Sequence, residues 1–196
     1  QEEKETKRAM GWELSFLEWM QAHQTPVLNG ILKVITMLGD IGWFWIVLSI
    51  ILIIYAKTRQ TGLASLISLA IMLILCNLII KTAVARIRPY DVDAALRIII
   101  SKPHDTSFPS GHTTASFAVI AVLWLRKSKL RVPMLIIGIL IAFSRLYFTV
   151  HYPTDVIAGA LLGILCGILG KIITDALVRK FPKLQPGSGT EKPENA

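Results

Sequence analysis

Residues Gly62–Ile80 read GLASLISLAIMLILCNLII, a run of nineteen residues without a charged side chain. An α-helix needs about 20 mostly apolar residues to cross the hydrocarbon core of a bilayer, so this run predicts a transmembrane helix. Two other apolar runs are shorter than this length: Ile41–Ala56 needs additional residues before Ile41 to cross the bilayer, and Thr113–Leu125 must begin near Ser110. Four comparable runs surround Gly62–Ile80 in the chain, namely Ile41–Ala56, Thr113–Leu125, Val132–Val150 and Val156–Val178. The pattern predicts an all-α integral membrane helical bundle of about five transmembrane helices.

The composition of the 196-residue chain agrees with this interpretation. The chain is 53% hydrophobic and only 17% charged, whereas a soluble domain carries about 25% charged residues. Its formal net charge of +8 would suggest a nucleic-acid partner if the protein were soluble. Because the basic residues form short clusters between apolar runs, we expect membrane lipids as partners and no nucleic acid. The sequence makes no prediction about oligomeric state.

The segment Trp12–Gly39 precedes the apolar runs and mixes apolar side chains such as Trp12 with polar ones such as Glu13. This mixture predicts amphipathic helices in the membrane interface, with tryptophans at headgroup depth. A sixth, poor span is the alternative. The predicted domains are an N-terminal polar segment with interfacial helices (1–40), a transmembrane core (41–180) and a disordered tail rich in Pro, Gly and charge (181–196).

The basic clusters predict how the bundle is oriented. They lie between the first and second runs, between the third and fourth, and after the fifth, at residues 57–59, 126–131 and 179–183. With five spans all three clusters fall on one side, which the positive-inside rule makes cytoplasmic. The loops Lys81–Ser110 and Tyr147–Thr154 then share the opposite face. We expect a multi-pass protein of the bacterial plasma membrane with an extracytoplasmic functional site.

Three sequence motifs lie on that face. The first is KTAVARIRP, Lys81–Pro89. Lys81 and Arg88 are two helical turns apart and project from one face if the second span continues as a helix. Pro89 disfavours helical geometry at Arg88 and is expected to end the helix there. The alternative for such cations is snorkelling at a helix end, which we expect for Arg86, whereas Lys81 and Arg88 fit a functional role.

The second motif is FPSGH, Phe108–His112, immediately before the third span. Ser110 is a good N-cap residue, and Gly111 lets the backbone approach a ligand closely. The free amides at a helix N-terminus bind anions, and His112 in the first turn can reach such an anion. An ordinary capped turn is the alternative interpretation.

The third motif is SRLYFTVHYPTD, Ser144–Asp155. Arg145 lies near the outer end of the fourth span, His151 just before the fifth, and Asp155 at its start. A carboxylate beside an imidazole fixes its tautomer and raises its basicity. A purely structural pair of His151 and Asp155 is the alternative.

Together the motifs place two histidines, one carboxylate and three cations on one membrane face. Three cations can neutralise a phosphate and stabilise the charge on its equatorial oxygens. One histidine can attack phosphorus while the other protonates the leaving oxygen. The sequence contains no cluster of carboxylates suited to a metal, so we expect a reaction that needs neither metal nor cofactor.

The ordered pattern K-x6-R-P, P-S-G-H and S-R-x5-H-x3-D resembles the type 2 phosphatidic acid phosphatase superfamily, which includes vanadium haloperoxidases and bacterial acid phosphatases. The resemblance implies that His151 is the nucleophile that forms a phosphohistidine, that Asp155 supports it, and that His112 is the general acid. Membrane members commonly have six spans, whereas the apolar runs predict about five here, so we expect the counterpart of the first span to be absent. The segment Trp12–Gly39 then resembles the interfacial helices that follow that span. The resemblance also implies phosphate-binding residues, namely Lys81, Arg88, Ser110, Gly111 and Arg145.

These inferences predict a membrane lipid phosphatase. The leading substrate is undecaprenyl diphosphate, because an outward-facing site suits the recycling of a lipid carrier. Phosphatidylglycerophosphate, phosphatidic acid and lipid A phosphates share the phosphate that the motifs bind, so the choice among them stays open. Two remote alternatives are a vanadate-dependent oxidase, which the membrane spans and small size disfavour, and a non-enzymatic membrane protein, which would have no reason to keep all the catalytic residue types.

Overall fold

The computed structural model describes residues 11–181, and within that range all regular secondary structure is helical. The polar start of the chain and the predicted disordered tail beyond residue 181 lie outside the described part. Short 3₁₀ turns at Asp40–Gly42 and Ala56–Thr58 flank the third helix. The helices are α1 (Gly11–Ala22), α2 (Pro26–Met37), α3 (Trp43–Ile54), α4 (Arg59–Met72), α5 (Lys81–Val84), α6 (Pro89–Val92), α7 (Gly111–Leu125), α8 (Arg131–Tyr147) and α9 (Pro153–Lys180).

Among the described residues, two helical stretches are long and apolar enough to cross a membrane, Ala56–Val92 and Pro153–Lys180. A third span results if α2 and the stretch Asp40–Ile54, which meet at a bend of 41°, cross as one broken helix. Helix α7 is apolar but only 15 residues long. The all-helical membrane bundle is therefore supported, whereas the total of five spans and the interfacial position of Trp12–Gly39 stay predictions.

A row of glycines lets α9 pack closely against α7 and α4. A Cβ atom on Gly163 would lie 2.5 Å from Thr114 O of α7, and one on Gly170 would lie 2.7 Å from Ala64 O of α4. Small residues at such spacing allow helix backbones to approach each other inside a membrane. The packing brings the start of α7 against the start of α9, where the second and third motifs lie. The row comprises Gly159, Gly163, Gly167 and Gly170.

The first motif has a different backbone from the one predicted. Helix α4 continues through a π-helical segment, Leu73–Ile80, into α5, which ends at Val84 because Ala85 adopts a left-handed conformation with φ 46°. Arg88 is extended, as expected for a residue before proline. The prediction that Lys81 and Arg88 share one face of a continuous helix was wrong, since the helix stops four residues before Arg88.

Two hydrophobic clusters support the bundle. One lies among the long helices and includes Trp45, Val119 and Ile141, all fully buried. The other joins α1 to the corner between α8 and α9, and it includes Leu17 and Phe148. Because the second cluster fixes α1 and α2 to that corner, the N-terminal helices contribute side chains to the end of the bundle where the three motifs meet.

Candidate active site

The three motifs meet at one cavity of about 1130 Å³. Six predicted site residues line this cavity: Lys81, Arg88, Gly111, His112, Arg145 and His151. The other two, Ser110 and Asp155, are fully buried and do not line it. The fold therefore brings together the residues that the three motifs predicted, and their roles stay predictions.

His151 lies in the loop between α8 and α9 and is almost completely buried. Its Nδ1 is 3.4 Å from Asp155 Oδ2, and its Nε2 is 3.4 Å from Arg88 Nη1. Burial lowers the pKa of His151 to about 3; the neighbouring Asp155 carboxylate opposes this shift, and the charges of Arg88 and Arg145 reinforce it. The imidazole is therefore neutral near pH 7, and with a proton on Nδ1 it presents an unprotonated Nε2 as a nucleophile.

Asp155 is held by contacts from several directions. Its Oδ2 accepts hydrogen bonds from the Tyr152 amide, at 3.0 Å, and from the Ser107 hydroxyl. Its Oδ1 accepts from Arg86 Nη1 at 2.6 Å. These contacts fix the carboxylate in the first turn of α9, so that one oxygen faces His151.

Arg86 was predicted to snorkel at a helix end, and this prediction was wrong. Its second guanidinium nitrogen, Nη2, lies 2.5 Å from Glu13 Oε2 on α1, and the guanidinium carbon lies 3.9 Å from the centre of the Tyr152 ring. Arg86 thus links α1 to the carboxylate beside His151. Sequence spacing carried no signal for this link, because Glu13 and Arg86 are far apart in the chain.

Arg88 connects the two loops that border the cavity. It donates to Val150 O at 2.6 Å, next to His151, and to Asp105 O at 2.8 Å. Its Nη2 also lies 2.5 Å from Asp105 Oδ1. A single guanidinium therefore connects the loop that carries His151 to the loop that precedes α7.

Asp105 is a cavity residue that the sequence analysis missed. Its carboxylate pairs with both Lys81 and Arg88, the two cations of the first motif. Although burial raises the pKa of Asp105, hydrogen bonds and charges from Lys81 and Arg88 lower it to about 2. The ionised carboxylate occupies the donors that a phosphate would need. The sequence feature that could have identified Asp105 is its position in the same loop as the second motif, five residues before Ser110.

Arg145 completes the set of cations. It is buried on α8, and its Nη1 donates to Thr36 Oγ1 of α2 at 2.7 Å. Its Nε is buried without a hydrogen-bond partner among the residues described. A buried cation with an unused donor beside a cavity is suited to binding an anion.

The start of α7 contributes the second motif. Ser110 is the N-cap residue as predicted, but its side chain makes no capping hydrogen bond and accepts one from the Thr113 hydroxyl at 3.0 Å. The Ser110 amide donates to Asp155 O at 3.1 Å. A Cβ atom on Gly111 would lie 3.9 Å from Lys81 Nζ, so this backbone adjoins the first motif.

His112 lies in the first turn of α7 and lines the cavity. Its Nε2 is 2.9 Å from Asp40 Oδ1, in the turn between α2 and α3. Asp40 was not predicted as a site residue, because the segment 1–40 was predicted to be separate from the transmembrane core. The bend between α2 and α3 brings this carboxylate to the cavity.

An all-helical bundle whose cavity is lined by two histidines and three cations, with a buried carboxylate beside one of the histidines, is suited to phosphoryl transfer. Residues 61–179 match the PAP2 superfamily. The chain is 30% identical over 155 residues to an undecaprenyl-diphosphatase of Sulfolobus acidocaldarius, covering 79% of this chain and 74% of that protein. It is 32% identical over 170 residues to the undecaprenyl-diphosphatase BcrC of Bacillus subtilis, covering 83% of each.

The fold is likewise that of a solved structure, a transmembrane PAP2 type phosphatidylglycerolphosphate phosphatase from Bacillus subtilis, with a TM-score of 0.71, 24% identity and 89% of each chain covered. The chain belongs to the PAP2 superfamily and is a phosphatase of that family. The resemblance noted from the three motifs is thereby confirmed.

Proposed function

We propose that the protein is a metal-independent lipid phosphatase that hydrolyses a lipid phosphate or diphosphate through a phosphohistidine on His151. In the first step, His151 Nε2 attacks phosphorus, and the bond between phosphorus and the leaving oxygen breaks. His112 gives its proton to that oxygen. Lys81, Arg88 and Arg145 stabilise the charge on the three equatorial oxygens.

In the second step, water attacks the phosphohistidine. His112 takes a proton from the water, the bond between phosphorus and Nε2 breaks, and inorganic phosphate is released. This step returns both histidines to their starting states. Asp155 stabilises the positive charge that His151 carries while the phosphoryl group is attached.

The shape of the cavity is the observation that carries the proposal of a lipid substrate. Leu66, Leu73, Asn77 and Lys81 lie along the helix formed by α4, its π-helical continuation and α5, and all line the same cavity. At about 1.5 Å per residue, this lining extends for roughly 20 Å from the phosphate-binding lysine. An amphiphile could therefore place its headgroup at Lys81 and its chain against the apolar side chains of α4.

Undecaprenyl diphosphate is the substrate that we propose first. Two relatives of at least 30% identity are undecaprenyl-diphosphatases, and an outward-facing site suits the recycling of a lipid carrier. Phosphatidylglycerophosphate, phosphatidic acid and lipid A are the alternative substrates. We place the site on the extracytoplasmic face of the bacterial plasma membrane, opposite the basic clusters at residues 57–59, 126–131 and 179–183.

The proposal can be tested with the full-length protein purified in detergent and a panel of these four lipids. We expect phosphate release from all that reach the cavity, with the largest kcat/KM for undecaprenyl diphosphate. His151→Ala serves as the inactive control. A larger kcat/KM for another lipid would replace undecaprenyl diphosphate as the substrate. Phosphate release from water-soluble phosphates but from none of the lipids would reject the lipid phosphatase.

A further inference from the structure

We propose that Asp40 is a positioning residue for His112, whose ring it orients as the general acid. This inference rests on the proposed function, because it concerns the acid of that same reaction. The carboxylate Oδ1 lies 2.9 Å from His112 Nε2. Asp40 and His112 come from opposite sides of the cavity, one from the turn between α2 and α3 and the other from the start of α7.

The contact determines which ring nitrogen can serve the substrate. With Nε2 donating to Asp40, Nδ1 is the nitrogen left to give a proton to the leaving oxygen. The ring cannot present Nε2 to the substrate without losing its bond to the carboxylate. Asp40 therefore acts through His112 and does not itself need to touch the phosphate.

The turn that carries Asp40 is shaped around the His112 ring. A Cβ atom on Gly39 would lie only 2.4 Å from His112 Cδ2 and 3.1 Å from Ile141 Cγ2, so only glycine leaves room for the ring. On the other side of Asp40, Gly42 has a φ of 73°. A left-handed conformation at this position is accessible to glycine without steric cost.

Ile41 provides a second sign that the turn is built for its neighbour. It has a φ of 54°, a conformation that a β-branched residue rarely adopts. Its side chain is 97% exposed on the surface of the bundle, so packing within the protein does not explain the strain. The strained residue follows directly after Asp40, whose carboxylate contacts His112.

The charges around His112 explain why such a partner is needed. Burial of the ring and the positive charges of Arg145 on α8 and Lys81 on α5 lower the pKa of His112. Asp40 opposes this shift and favours the protonated ring, through its hydrogen bond and its charge. A general acid must carry its proton when the leaving oxygen needs it. The carboxylate therefore counteracts part of the effect of burial and of two cations that the phosphate itself requires.

The test compares leaving groups that differ in their need for a proton. The substrates are a long-chain alkyl phosphate, whose alkoxide must be protonated, and nitrophenyl phosphate, whose phenolate leaves unprotonated. For Asp40→Asn we expect kcat/KM to fall roughly 10-fold or more on the alkyl phosphate and less than about 3-fold on nitrophenyl phosphate. Activity on nitrophenyl phosphate in the same preparation shows that the site is folded. Equal losses on both substrates, or no loss, would overturn the inference.

The pH dependence of kcat/KM gives a second test, because a purely structural role of Asp40 would leave it unchanged. Removing the carboxylate destabilises the protonated ring, so the alkaline limb of kcat/KM for the alkyl phosphate is expected to move to lower pH in Asp40→Asn. Asp40→Glu, which keeps the charge, is expected to restore most of the limb. An unmoved limb in Asp40→Asn would count against the inference. Asp91→Asn, which alters an exposed carboxylate paired with Lys102, is the matched control and is expected to behave like the wild type.

His112→Gln separates this inference from the proposed function. If His112→Gln shows the dependence on leaving group and Asp40→Asn does not, the role of Asp40 is rejected while the general acid stands. If His112→Gln loses activity equally on both substrates, the assignment of His112 as general acid is itself rejected. Matching dependence in both variants supports both statements.

Discussion

Arg86 Nη1 lies 2.6 Å from Asp155 Oδ1, while the other oxygen of the same carboxylate lies 3.4 Å from His151 Nδ1. A single buried carboxylate thus has a guanidinium on one side and the imidazole of His151 on the other. Arg86 also reaches Glu13 on α1. The N-terminal helix is therefore linked to the carboxylate beside the proposed nucleophile through two successive charge pairs.

We predict that Arg86→Gln lowers both activity and stability. Removing one partner of a buried ion pair leaves an uncompensated charge and costs about 3–5 kcal/mol, and here both Asp155 and Glu13 lose their guanidinium. We expect kcat to fall at least about 10-fold, measured on the lipid substrate, and the midpoint of thermal unfolding to drop. Arg97→Gln, at an exposed arginine, is the control. If Arg86→Gln has the kcat and the unfolding temperature of the wild type, the link between Glu13, Arg86 and Asp155 contributes to neither activity nor stability.

We predict that His151→Ala abolishes turnover without unfolding the protein. The substitution removes the nucleophile but leaves Lys81, Arg88 and Arg145 to bind phosphate analogues. Loss of a nucleophile typically costs several orders of magnitude in rate, so residual activity is expected below about 1% of wild type. Incubation with substrate radiolabelled in the transferred phosphate, quenched with alkaline detergent that preserves the acid-labile phosphohistidine, is expected to leave label on the wild type and none on the variant. Label on the variant would assign the covalent intermediate to another residue.

We predict that Asp105→Asn tightens the binding of phosphate and vanadate. The carboxylate competes for Lys81 and Arg88, and a neutral amide would release both cations for the ligand. We expect the inhibition constant for orthovanadate to fall roughly 10-fold. Asp93→Asn, in the same loop, is the control. An unchanged or larger inhibition constant would mean that Asp105 helps to bind the anion and does not compete with it.

The pH dependence of this competition follows from the pKa of Asp105, which pairing with Lys81 and Arg88 lowers from 3.8 to about 2. A carboxyl group with a lowered pKa stabilises the folded protein above its unfolded pKa, and this stabilisation is lost as the pH falls through the folded pKa. For Asp105 this loss falls between the ordinary value of 3.8 and about pH 2, so the carboxylate stays ionised at neutral pH. The ratio of inhibition constants between wild type and Asp105→Asn is expected to stay constant as the pH is lowered from about 7 to about 5.

We predict full activity without a divalent metal. Lys81, Arg88 and Arg145 supply the positive charge that a metal ion provides in other phosphoryl-transfer enzymes. Phosphate release in excess EDTA is expected to equal that of untreated enzyme, and vanadate is expected to inhibit by adopting the trigonal-bipyramidal geometry of the transition state. Activity that disappears in EDTA and returns with magnesium would contradict this prediction.

We predict that the site faces away from the cytoplasm. A cysteine at the exposed position Ala94, in the Asp91–Thr106 loop, is expected to react with an impermeant thiol reagent in intact cells, whereas one at Lys129 is not. The native Cys76 and Cys166 are both buried, so they are expected to add little background. The reverse labelling would move the substrates to the cytoplasmic leaflet and remove the case for undecaprenyl diphosphate.

The helical membrane bundle and most of the residues that meet at the cavity could be predicted from the amino-acid sequence. The apolar runs located the long helices to within a few residues, since α9 spans Pro153–Lys180 where Val156–Val178 was predicted. His151, Arg88 and His112 were identifiable because phosphoryl transfer requires particular residue types at particular spacings. These spacings involve residues that are close together in the chain, so they can be recognised without knowing the fold.

The carboxylates that pair with these groups could be identified only from the folded bundle. Asp105 pairs with Lys81, Asp40 with His112, and Glu13 with Arg86. Each of these contacts joins segments that are distant in the chain and meet only after the helices pack. A carboxylate in a loop looks the same in the sequence whether it is solvated or paired, because the geometry of the folded bundle determines its partner.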